Sequence, residues 1–375
     1  MGFFEGKKPA AILKHAIIDK YVSPFVGKTG LYSPGHRVAI VDGYAGEGRY
    51  DNGDEASPAL LLRKARELQA INRQLECYFV ESHPQSLARL RQVIAAEGAE
   101  LPMQVFPGSI EDHLDDLLTL VKGIPALVYL DPFGVMIPFQ KAAQVFAQRP
   151  SQPPATEMLI NFSAVGLRRV AGLLTSTKDS PGTPATLARM DAACGGDWWQ
   201  KVWLDHGEDR VRAEEAVVVE YTRRLATDQR CSWCVTPVRN RAHHKPVYYL
   251  VFLTRHRDGF TEFAEALSLG LAQWRKAVYD LENADTLFAD EATFLASEQA
   301  LENGWINEIE QNLRRLLGEG KPVAISKRYS EVYGKAAGQA RQTHLRKAWT
   351  RLYPDVTRTS PRGKKKLLQE LIEPA

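Results

Sequence analysis

Several features that would restrict the class or location of this protein are scarce or missing in its 375 residues. Four cysteines are too few for a disulfide framework in a chain of this length, which favours a reducing compartment. No apolar run is long enough to cross a bilayer, and the N-terminal segment MGFFEGKKPA lacks the apolar core of a signal peptide. Gly6 stands where a myristoylation signal needs Ser or Thr. We therefore expect a cytoplasmic protein with no membrane partner.

A strong overall charge is also missing, but the charge is unevenly distributed. The net charge of the whole chain is only +3. Residues 321–366 contain 13 lysines or arginines against two acids, so this window carries +11 and the rest of the chain carries −8. An acidic body with a basic C-terminal segment is typical of a chain that brings an enzyme to a polyanion.

Short apolar runs alternate with stretches of helical spacing over much of the chain. The apolar runs predict strands that are buried on both faces, and the intervening stretches predict helices that cover a parallel, doubly wound sheet. The last two runs lie close together and predict an antiparallel pair. The predicted strands are residues 37–41, 76–81, 103–106, 126–130, 157–161, 232–238 and 246–253.

A hairpin after five β/α units is typical of Rossmann-like class I methyltransferase folds, and we predict such a domain over residues 1–290. It starts with a helix that ends before Pro24 and carries a helical insertion over residues 164–230. Trp198, Trp199 and Trp203 of this insertion are expected to pack it rather than to stack on bases.

Residues 296–375 predict a separate basic module. Helical stretches at 296–318, 325–333 and 337–352 precede a hairpin-like segment that turns at residues 360–363, an order that indicates a winged helix-turn-helix. The cations of this module are expected to contact nucleic-acid phosphates. Two arginines at the lip of the predicted crevice, outside the module, are expected to do the same. The expected contacts are Arg168, Arg169, Lys335, Arg341, Arg346, Lys347, Arg358, Arg362, Lys364 and Lys365.

The segment VAIVDGYAGEGRY, residues 38–50, predicts a ligand site. An apolar strand ends on Asp42 and opens into a glycine-rich turn, which lets the backbone pass close to a bound ligand. The next predicted strand ends on Glu81, where an acid can accept hydrogen bonds from both hydroxyls of a ribose. The cofactor contacts expected in the turn are Gly43, Ala45, Gly46 and Gly48.

Asp42 narrows the choice of cofactor. A carboxylate just ahead of the turn would repel the pyrophosphate of a dinucleotide, which needs a helix N-terminus instead. The Lys-Ser/Thr pair of a phosphate-binding loop does not follow either. The same negative charge suits a ligand that carries an ammonium and a sulfonium group. We therefore expect S-adenosylmethionine as the cofactor.

The predicted fourth strand ends on Asp131-Pro132-Phe133-Gly134. Strand ends at this edge of an open α/β sheet face the ligand crevice. The Asp131 carboxylate or a backbone carbonyl can accept the hydrogens of an amine, Pro132 can stiffen the turn, and Phe133 can stack on a base. These three residues are the catalytic candidates. Asn161, which ends the fifth strand, is equally consistent with orienting a substrate and with forming a turn.

Five segments in order, VDGYAGEGRY, SPALLL, YFVESHP, YLDPFG and LINFSAVGLRR, closely resemble those of the three-Cys-motif partner (TcmP) proteins over roughly residues 8–290. Those are bacterial and phage proteins with a methyltransferase-like domain, often followed by a winged-helix module. The chain is more distantly similar to RlmJ-type ribosomal RNA adenine methyltransferases, through residues 13–15, 45–50, 57–58 and 81–84. The RlmJ pattern has two prolines before the aromatic residue, whereas this chain has one.

The resemblance implies a set of positions around the cofactor and the reacting group. Asp131 is the catalytic position, and Ser109 is placed to contact the adenine ring. The residues implied to line the S-adenosylmethionine pocket are His15, Tyr44, Glu81 and Ser82.

Cys231 and Cys234, with His243 and His244, are residue types that bind zinc. Residues three apart in a strand point to opposite faces, however, so the two cysteines would need a bulge to share a metal. We expect no metal site.

Together these patterns predict an S-adenosylmethionine-dependent methyltransferase that acts on nucleic acid, at an exocyclic base amine. Two alternatives stay open. The chain could be a non-catalytic accessory that delivers nucleic acid to a three-cysteine, radical-type partner enzyme. It could also be a methyltransferase whose acceptor is a protein or a small molecule.

Overall fold

The structure is a computed structural model of the chain and describes residues 8–132, 134–151, 153–176, 181–284 and 290–375. The chain divides into two compact units. The sheet unit is Val22–Phe260, and the tail unit combines Met1–Tyr21 with Thr261–Ala375. This division does not coincide with the boundary expected between residues 290 and 296, and the assignment of functional domains stays a prediction.

The elements up to the end of the sheet unit alternate between helix and strand. Two long helices, α1 and α10, contain the boundaries between the units. The bounds are α1 Pro9–Thr29, β1 Arg37–Asp42, α2 Ser57–Gln69, β2 Gln74–Glu81, α3 Pro84–Glu97, β3 Met103–Pro107, α4 Ile110–Leu120, β4 Ala126–Leu130, α5 Phe139–Ala147, β5 Thr156–Ser163, α6 Ala164–Ala171, α7 Thr183–Cys194, α8 Trp198–Asp205, α9 Arg210–Gln229, β6 Ser232–Val238, β7 Tyr248–Thr254 and α10 Arg257–Glu282.

Among the described residues, seven strands form one sheet in the order β3-β2-β1-β4-β5-β7-β6. Strands β1 to β5 pair in parallel, and β7 runs antiparallel to both β5 and β6. The mixed α/β class, the mostly parallel sheet and the antiparallel closing pair are therefore confirmed. This is the strand arrangement of a Rossmann-like methyltransferase fold.

The strand order determines where a ligand can bind. The chain builds β1, β2 and β3 outward in one direction and β4 and β5 in the other, so the order reverses between β1 and β4. Ligands of open α/β sheets bind at the carboxyl ends of the strands beside such a reversal. In the register, Asp42 lies opposite Phe79 of β2 on one side and Tyr129 of β4 on the other. The ends of β2, β1 and β4 are thus neighbours at one edge.

Helix α1 continues past Pro24, so the prediction that it ends before this residue is wrong. A proline inside a helix removes one backbone hydrogen bond and crowds the preceding turn. Val22 and Phe25 on either side of Pro24 are buried, and their burial outweighs the lost bond.

The insertion consists of helices α6 to α9, as predicted. Trp199 and Trp203 are buried in the core, and the indole N–H of Trp199 donates to Asp191 Oδ1 at 2.7 Å. Trp198 is half-buried, with the Arg224 guanidinium over its ring. The expectation that these tryptophans pack the insertion is confirmed.

The tail unit continues with α11 Glu291–Leu317, β8 Val323–Ala324, α12 Tyr329–Tyr333, α13 Gln342–Leu352 and β9 Leu371–Ile372. Strand β8 pairs antiparallel with β9, and an isolated bridge joins Thr357 to Pro374. The chain between Thr357 and β9 thus forms a hairpin-like loop, in which Gly363 has a φ of +72°. The indole of Trp349 on α13 donates to Thr359 O at 2.8 Å and fixes the start of this loop.

Helix α10 holds the rest of the tail unit, which explains why the unit begins before residue 290. The backbone N–H of Gln342 donates to Glu265 Oε1, and Ser268 donates to Gln339 O. Arg275 forms a two-pronged ion pair with Glu298 of α11. Across the described residues, no helix combines the length and the apolar character needed to cross a membrane.

Arg149 is a buried cation that joins three parts of the sheet unit. Its guanidinium donates to Val121 O at 2.6 Å, to Ile124 O at 2.5 Å and to Thr156 Oγ1 at 2.7 Å. Burial lowers the pKa of Arg149 to about 10, so the side chain stays charged at neutral pH. These bonds tie the end of α4 to the segments that enter β4 and β5.

Replacing Arg149 tests this junction. Arg149→Leu removes the charged donor that the Val121 and Ile124 carbonyls and the Thr156 hydroxyl share, and we expect the free energy of unfolding in urea to fall by about 2–3 kcal/mol. Arg91→Leu on the exposed face of α3 is the matched control and should change it by less than about 0.5 kcal/mol. Equal effects of the two substitutions would contradict the structural role of Arg149.

Candidate functional site

The glycine-rich turn after β1 crosses the ends of the two neighbouring strands. The N–H of Gly43 donates to Tyr129 O of β4 at 2.9 Å. The N–H of Ala45 donates to Val80 O of β2 at 3.0 Å, and the N–H of Gly46 donates to Glu81 Oε2 at 2.8 Å. The turn is thus fastened to both sides of the strand-order reversal.

Two glycines of this turn are needed for different reasons. A Cβ on Gly43 would lie 3.0 Å from the side chains of Ile110 and Leu130, so a larger residue would force these side chains to shift. Gly46 has a φ of +68°, a conformation that L side chains rarely adopt. A Cβ there would have no heavy atom within 4 Å in the part of the chain that the structure describes. The backbone of Gly46 therefore borders open space.

Asp42 ends β1 and is fully buried. Its Oδ1 accepts from the N–H of Tyr44 at 3.2 Å, and its Oδ2 accepts from the hydroxyl of Ser57 at 2.6 Å. The first bond shapes the turn, and the second ties the start of α2 to it. A carboxylate is thus held at the strand-order reversal, where the sequence predicted it.

Glu81 ends β2 and is half-buried. Besides the bond from Gly46, its Oε1 accepts from the N–H of His83 at 2.7 Å. Two backbone donors therefore orient the carboxylate across the end of the strand. Each carboxylate oxygen can accept more than one hydrogen bond, so Glu81 can also receive donors from a ligand.

Asp131 follows β4 and is held by two side chains from neighbouring positions. The hydroxyl of Tyr129 donates to its Oδ2 at 3.0 Å, and the amide of Asn161 donates to its Oδ1. Pro132 is buried. Phe133 lies outside the described residues, so its expected stacking role stays a prediction.

Three tyrosines surround Asp131 or lie near it. Burial raises the pKa of Tyr44, Tyr129 and Tyr248, and the negative charge of Asp131 raises each of them further. These phenols therefore stay protonated at neutral pH and remain hydrogen-bond donors. The positive charge of Arg189, on helix α7 of the insertion, opposes this shift and lowers the pKa of Tyr44.

The other predicted cofactor residues differ in their local surroundings. Ser109 caps α4: its hydroxyl donates to Asp112 Oδ2 at 2.6 Å and accepts from the N–H of Asp112 at 3.3 Å. Ser82 is exposed directly after β2. His15 is buried on α1, in the tail unit. Their roles toward the cofactor stay predictions.

Arg168 and Arg169 differ sharply in their surroundings. Arg168 donates to Glu214 Oε2 at 2.6 Å and to Pro246 O at 2.9 Å, and Glu214 is fully buried. Burial raises the pKa of Glu214, although the Arg168 guanidinium opposes this shift. Arg169 is exposed on the same helix. The geometry favours a structural role for Arg168, and Arg169 is the better placed of the two for a phosphate.

Several cations of the tail are engaged in holding its own fold. Arg346 donates to Pro361 O at 2.5 Å and to Lys364 O, and so fixes the hairpin-like loop to α13. The others form ion pairs with acids of α11 or of the C-terminal segment. These pairs are Arg341–Glu302, Lys347–Glu302, Arg358–Glu373 and Lys364–Glu370.

The remaining tail cations define an exposed set. Lys335 follows α12, and Arg362 and Lys365 lie at the turn of the hairpin-like loop. Lys347 belongs with them because it is exposed and lies 3.9 Å from its acid. The net charge of +11 over residues 321–366 therefore overstates the positive field of the tail, since acids outside this window offset part of it.

The possible zinc ligands do not form a site in the described residues, where no group of three or more His, Cys, Asp or Glu side chains could hold a metal. Burial raises the pKa of Cys231 to about 11 and that of Cys234 to about 12, so both thiols stay protonated at neutral pH.

Tyr129 and Ser57 belong to the site and were not predicted from the sequence. Tyr129 could have been found, because residues two apart in a strand share a face and Asp131 lies two positions further on. Ser57 comes from a helix whose position beside the strand ends no local pattern encodes.

The chain is similar to solved methyltransferase structures. One is the plantazolicin methyltransferase BamL in complex with a triazolic desmethylPZN analog and SAH, at 10% identity over 67% of this chain and 86% of that one, with a TM-score of 0.36. Another is an rRNA methylase from Streptococcus thermophilus, at 13% identity over 62% and 96%, with a TM-score of 0.33. A third is the small RNA methyltransferase HEN1, at 13% identity over 68% and 26%, with a TM-score of 0.35.

No family model matches this chain, and no curated protein matches it. All three TM-scores are below 0.5 and all three identities are below 25%. The function therefore has to be argued from the residues of the chain itself.

The two neighbouring arginines on α6 provide a matched pair of substitutions. Arg168→Met leaves the buried Glu214 carboxylate without its partner, and we expect the free energy of unfolding to fall by about 3 kcal/mol. Arg169→Met should leave it within about 0.5 kcal/mol of wild type. Chemical denaturation measures both. If Arg168→Met is as stable as Arg169→Met, the ion pair does not hold this part of the insertion.

Proposed function

We propose that this chain is an S-adenosylmethionine-dependent methyltransferase that acts on nucleic acid, at an exocyclic amine of a base. The observation that carries the proposal is the placement of three carboxylates, Asp42, Glu81 and Asp131, at the ends of the adjacent strands β1, β2 and β4. The glycine-rich turn runs between them and is fastened to both outer strands.

The residues present suit S-adenosylmethionine. The open space beside Gly46 leaves room for a ligand against the backbone, and Glu81 next to it is oriented by two amides to accept ribose hydroxyls. The buried negative charge of Asp42 favours a cationic ligand at the strand-order reversal and disfavours a phosphorylated one. When bound, the cofactor supplies an electrophilic methyl group. Asp42 and Glu81 would hold it, together with Tyr44, Ser82 and Ser109, which the resemblance implies.

Asp131 suits an amine acceptor. Its carboxylate is anchored by Tyr129 and Asn161 and can accept N–H donors in the crevice, which would aim the nitrogen lone pair at the methyl group. No general base is required, since the methylated nitrogen can lose its proton to water after transfer. Buried Pro132 would stiffen the turn, and Phe133 would stack on the base.

A nucleic-acid substrate is supported by the tail unit. The order helix, strand, two helices and a hairpin-like loop fits a winged helix-turn-helix, and Arg362 and Lys365 at the loop turn are exposed. A base within a duplex would have to be extruded to reach Asp131. Arg169 and Arg189 of the insertion are cations that could hold the backbone of such a nucleotide.

A non-catalytic accessory is the second candidate. The single proline in Asp-Pro-Phe-Gly departs from the RlmJ pattern, and the resemblance to TcmP proteins points to a three-cysteine partner enzyme. Such an accessory would bind nucleic acid and transfer no methyl group. Calorimetry with S-adenosylmethionine separates the two candidates, because an accessory without cofactor binding shows no heat.

The central test uses methyl-labelled S-adenosylmethionine with separate pools of DNA, RNA and protein. We expect the wild-type chain to label a nucleic-acid pool. Asp131→Ala should abolish multiple-turnover labelling while calorimetry still detects cofactor binding, because this side chain is proposed to face the acceptor. Glu81→Ala should instead weaken cofactor binding by about tenfold or more, since it removes a charged acceptor of hydrogen bonds.

Each outcome of this test has a defined meaning. If only the protein pool is labelled, the acceptor is a protein and not nucleic acid. If Asp131→Ala labels nucleic acid at the wild-type rate, Asp131 has no role in the transfer. A crystal structure with a phosphorylated nucleotide bound at the Gly43–Gly48 turn would overturn the choice of cofactor.

The exposed tail cations make a separate prediction. The double substitution Arg362→Ala and Lys365→Ala should weaken nucleic-acid binding at low salt and reduce the slope of log K against log salt by about 1 to 2, one for each lost phosphate contact. Arg91→Ala with Lys122→Ala removes the same charge from exposed positions of the sheet unit and serves as the control. If both double variants lower the slope equally, net charge and not the loop governs binding.

A further inference from the structure

Asn161 occupies a buried strand position beside the acid that is proposed to act in transfer. In the β4–β5 register, Leu130 lies opposite Ile160, so Asp131 and Asn161 are the next neighbours along the two parallel strands. On its other side, Asn161 lies opposite Leu250 of β7. Its residue surface is only 7% exposed. A buried polar side chain contributes little to solubility, so its presence indicates another role.

The Asp131 carboxylate is held from two sides. Asn161 Nδ2 donates to Oδ1, and the hydroxyl of Tyr129 donates to Oδ2 at 3.0 Å. Tyr129 is itself 3% exposed, and burial raises the pKa of its phenol, so it remains a donor. With a side-chain donor on each oxygen, the plane of the carboxylate is fixed relative to β4 and β5.

The same amide leaves one of its own polar atoms unsatisfied. Asn161 Oδ1 is buried and has no hydrogen-bond partner among the described residues. Turning the amide over would place this oxygen against the carboxylate of Asp131, which repels it, so the bond to Asp131 decides the orientation. A buried polar atom without a partner lowers stability, and an apolar residue of similar volume would avoid that loss.

We propose that Asn161 and Tyr129 are positioning residues that orient the Asp131 carboxylate for methyl transfer. The proposal rests on the proposed function, since it assigns their role through Asp131. Asn161 orients the carboxylate and lowers stability through its buried amide oxygen. A residue that lowers stability in this way is typically one selected for activity. Neither side chain needs to touch the acceptor for this effect.

The kinetic test compares Asn161→Leu and Tyr129→Phe with wild type in the labelled transfer assay. We expect kcat to fall about 10- to 100-fold for each, with the KM of the acceptor and the Kd of S-adenosylmethionine within about twofold of wild type, because orientation is lost and binding is not. The melting temperature of Asn161→Leu should equal or exceed that of wild type. Tyr129→Phe removes only a hydroxyl and keeps the test available if Asn161→Leu does not fold.

Combined variants show whether the effect passes through Asp131. Asn161→Leu added to Asp131→Ala should cause no further loss of the residual single-turnover rate, because the group to be oriented is already gone. Thr222→Val, which removes a buried hydroxyl that donates to Val218 O on α9, is the control and should leave kcat unchanged.

The outcomes separate this proposal from the proposed function. If wild type transfers no methyl group, both are overturned. If wild type is active and either Asn161→Leu or Tyr129→Phe keeps the wild-type kcat, the positioning role of that residue is overturned alone. A fall in kcat that is matched by a lower melting temperature, or that adds fully to the loss in Asp131→Ala, would show a structural role instead.

Discussion

The candidate site depends on how the turn after β1 is fastened across the ends of its two neighbours. The amide of Gly43 is bound to β4, and the amides of Ala45 and Gly46 are bound to β2. Because β1 lies at the reversal of the strand order, these bonds bring carboxylates from three strands to one edge. Without the turn, Asp42 would lose the amide donor of Tyr44, and Glu81 would lose that of Gly46.

Several buried or half-buried charges in this protein are met by hydrogen bonds. Asp42 receives a backbone amide and a hydroxyl, Asp131 receives an amide and a phenol, and Arg149 donates to two carbonyls and a hydroxyl. A buried ion is tolerable only with such partners. The buried amide oxygen of Asn161 has no hydrogen-bond partner among the described residues, and it lies next to the acid that is proposed to act in transfer.

The basic tail illustrates the limit of counting charges. The window 321–366 carries +11, yet Arg341, Arg358 and Lys364 pair with acids that lie outside it, and Arg346 holds the hairpin-like loop. Sequence separation conceals these pairs, because Glu302 precedes Arg341 by a whole helix and a turn. Lys335, Lys347, Arg362 and Lys365 stay exposed.

Local patterns determined much of this protein by themselves. Short apolar runs of period-two or continuous character between helical stretches are typical of strands, so the seven strands, their α/β alternation and the acids at the ends of β1, β2 and β4 were predicted from the chain alone. Tertiary packing decided the rest. It carries α1 past Pro24, joins α10 to the tail, commits Arg168 to Glu214 and sets Tyr129 and Asn161 on Asp131, because burial and partners far apart in sequence outweigh local preference.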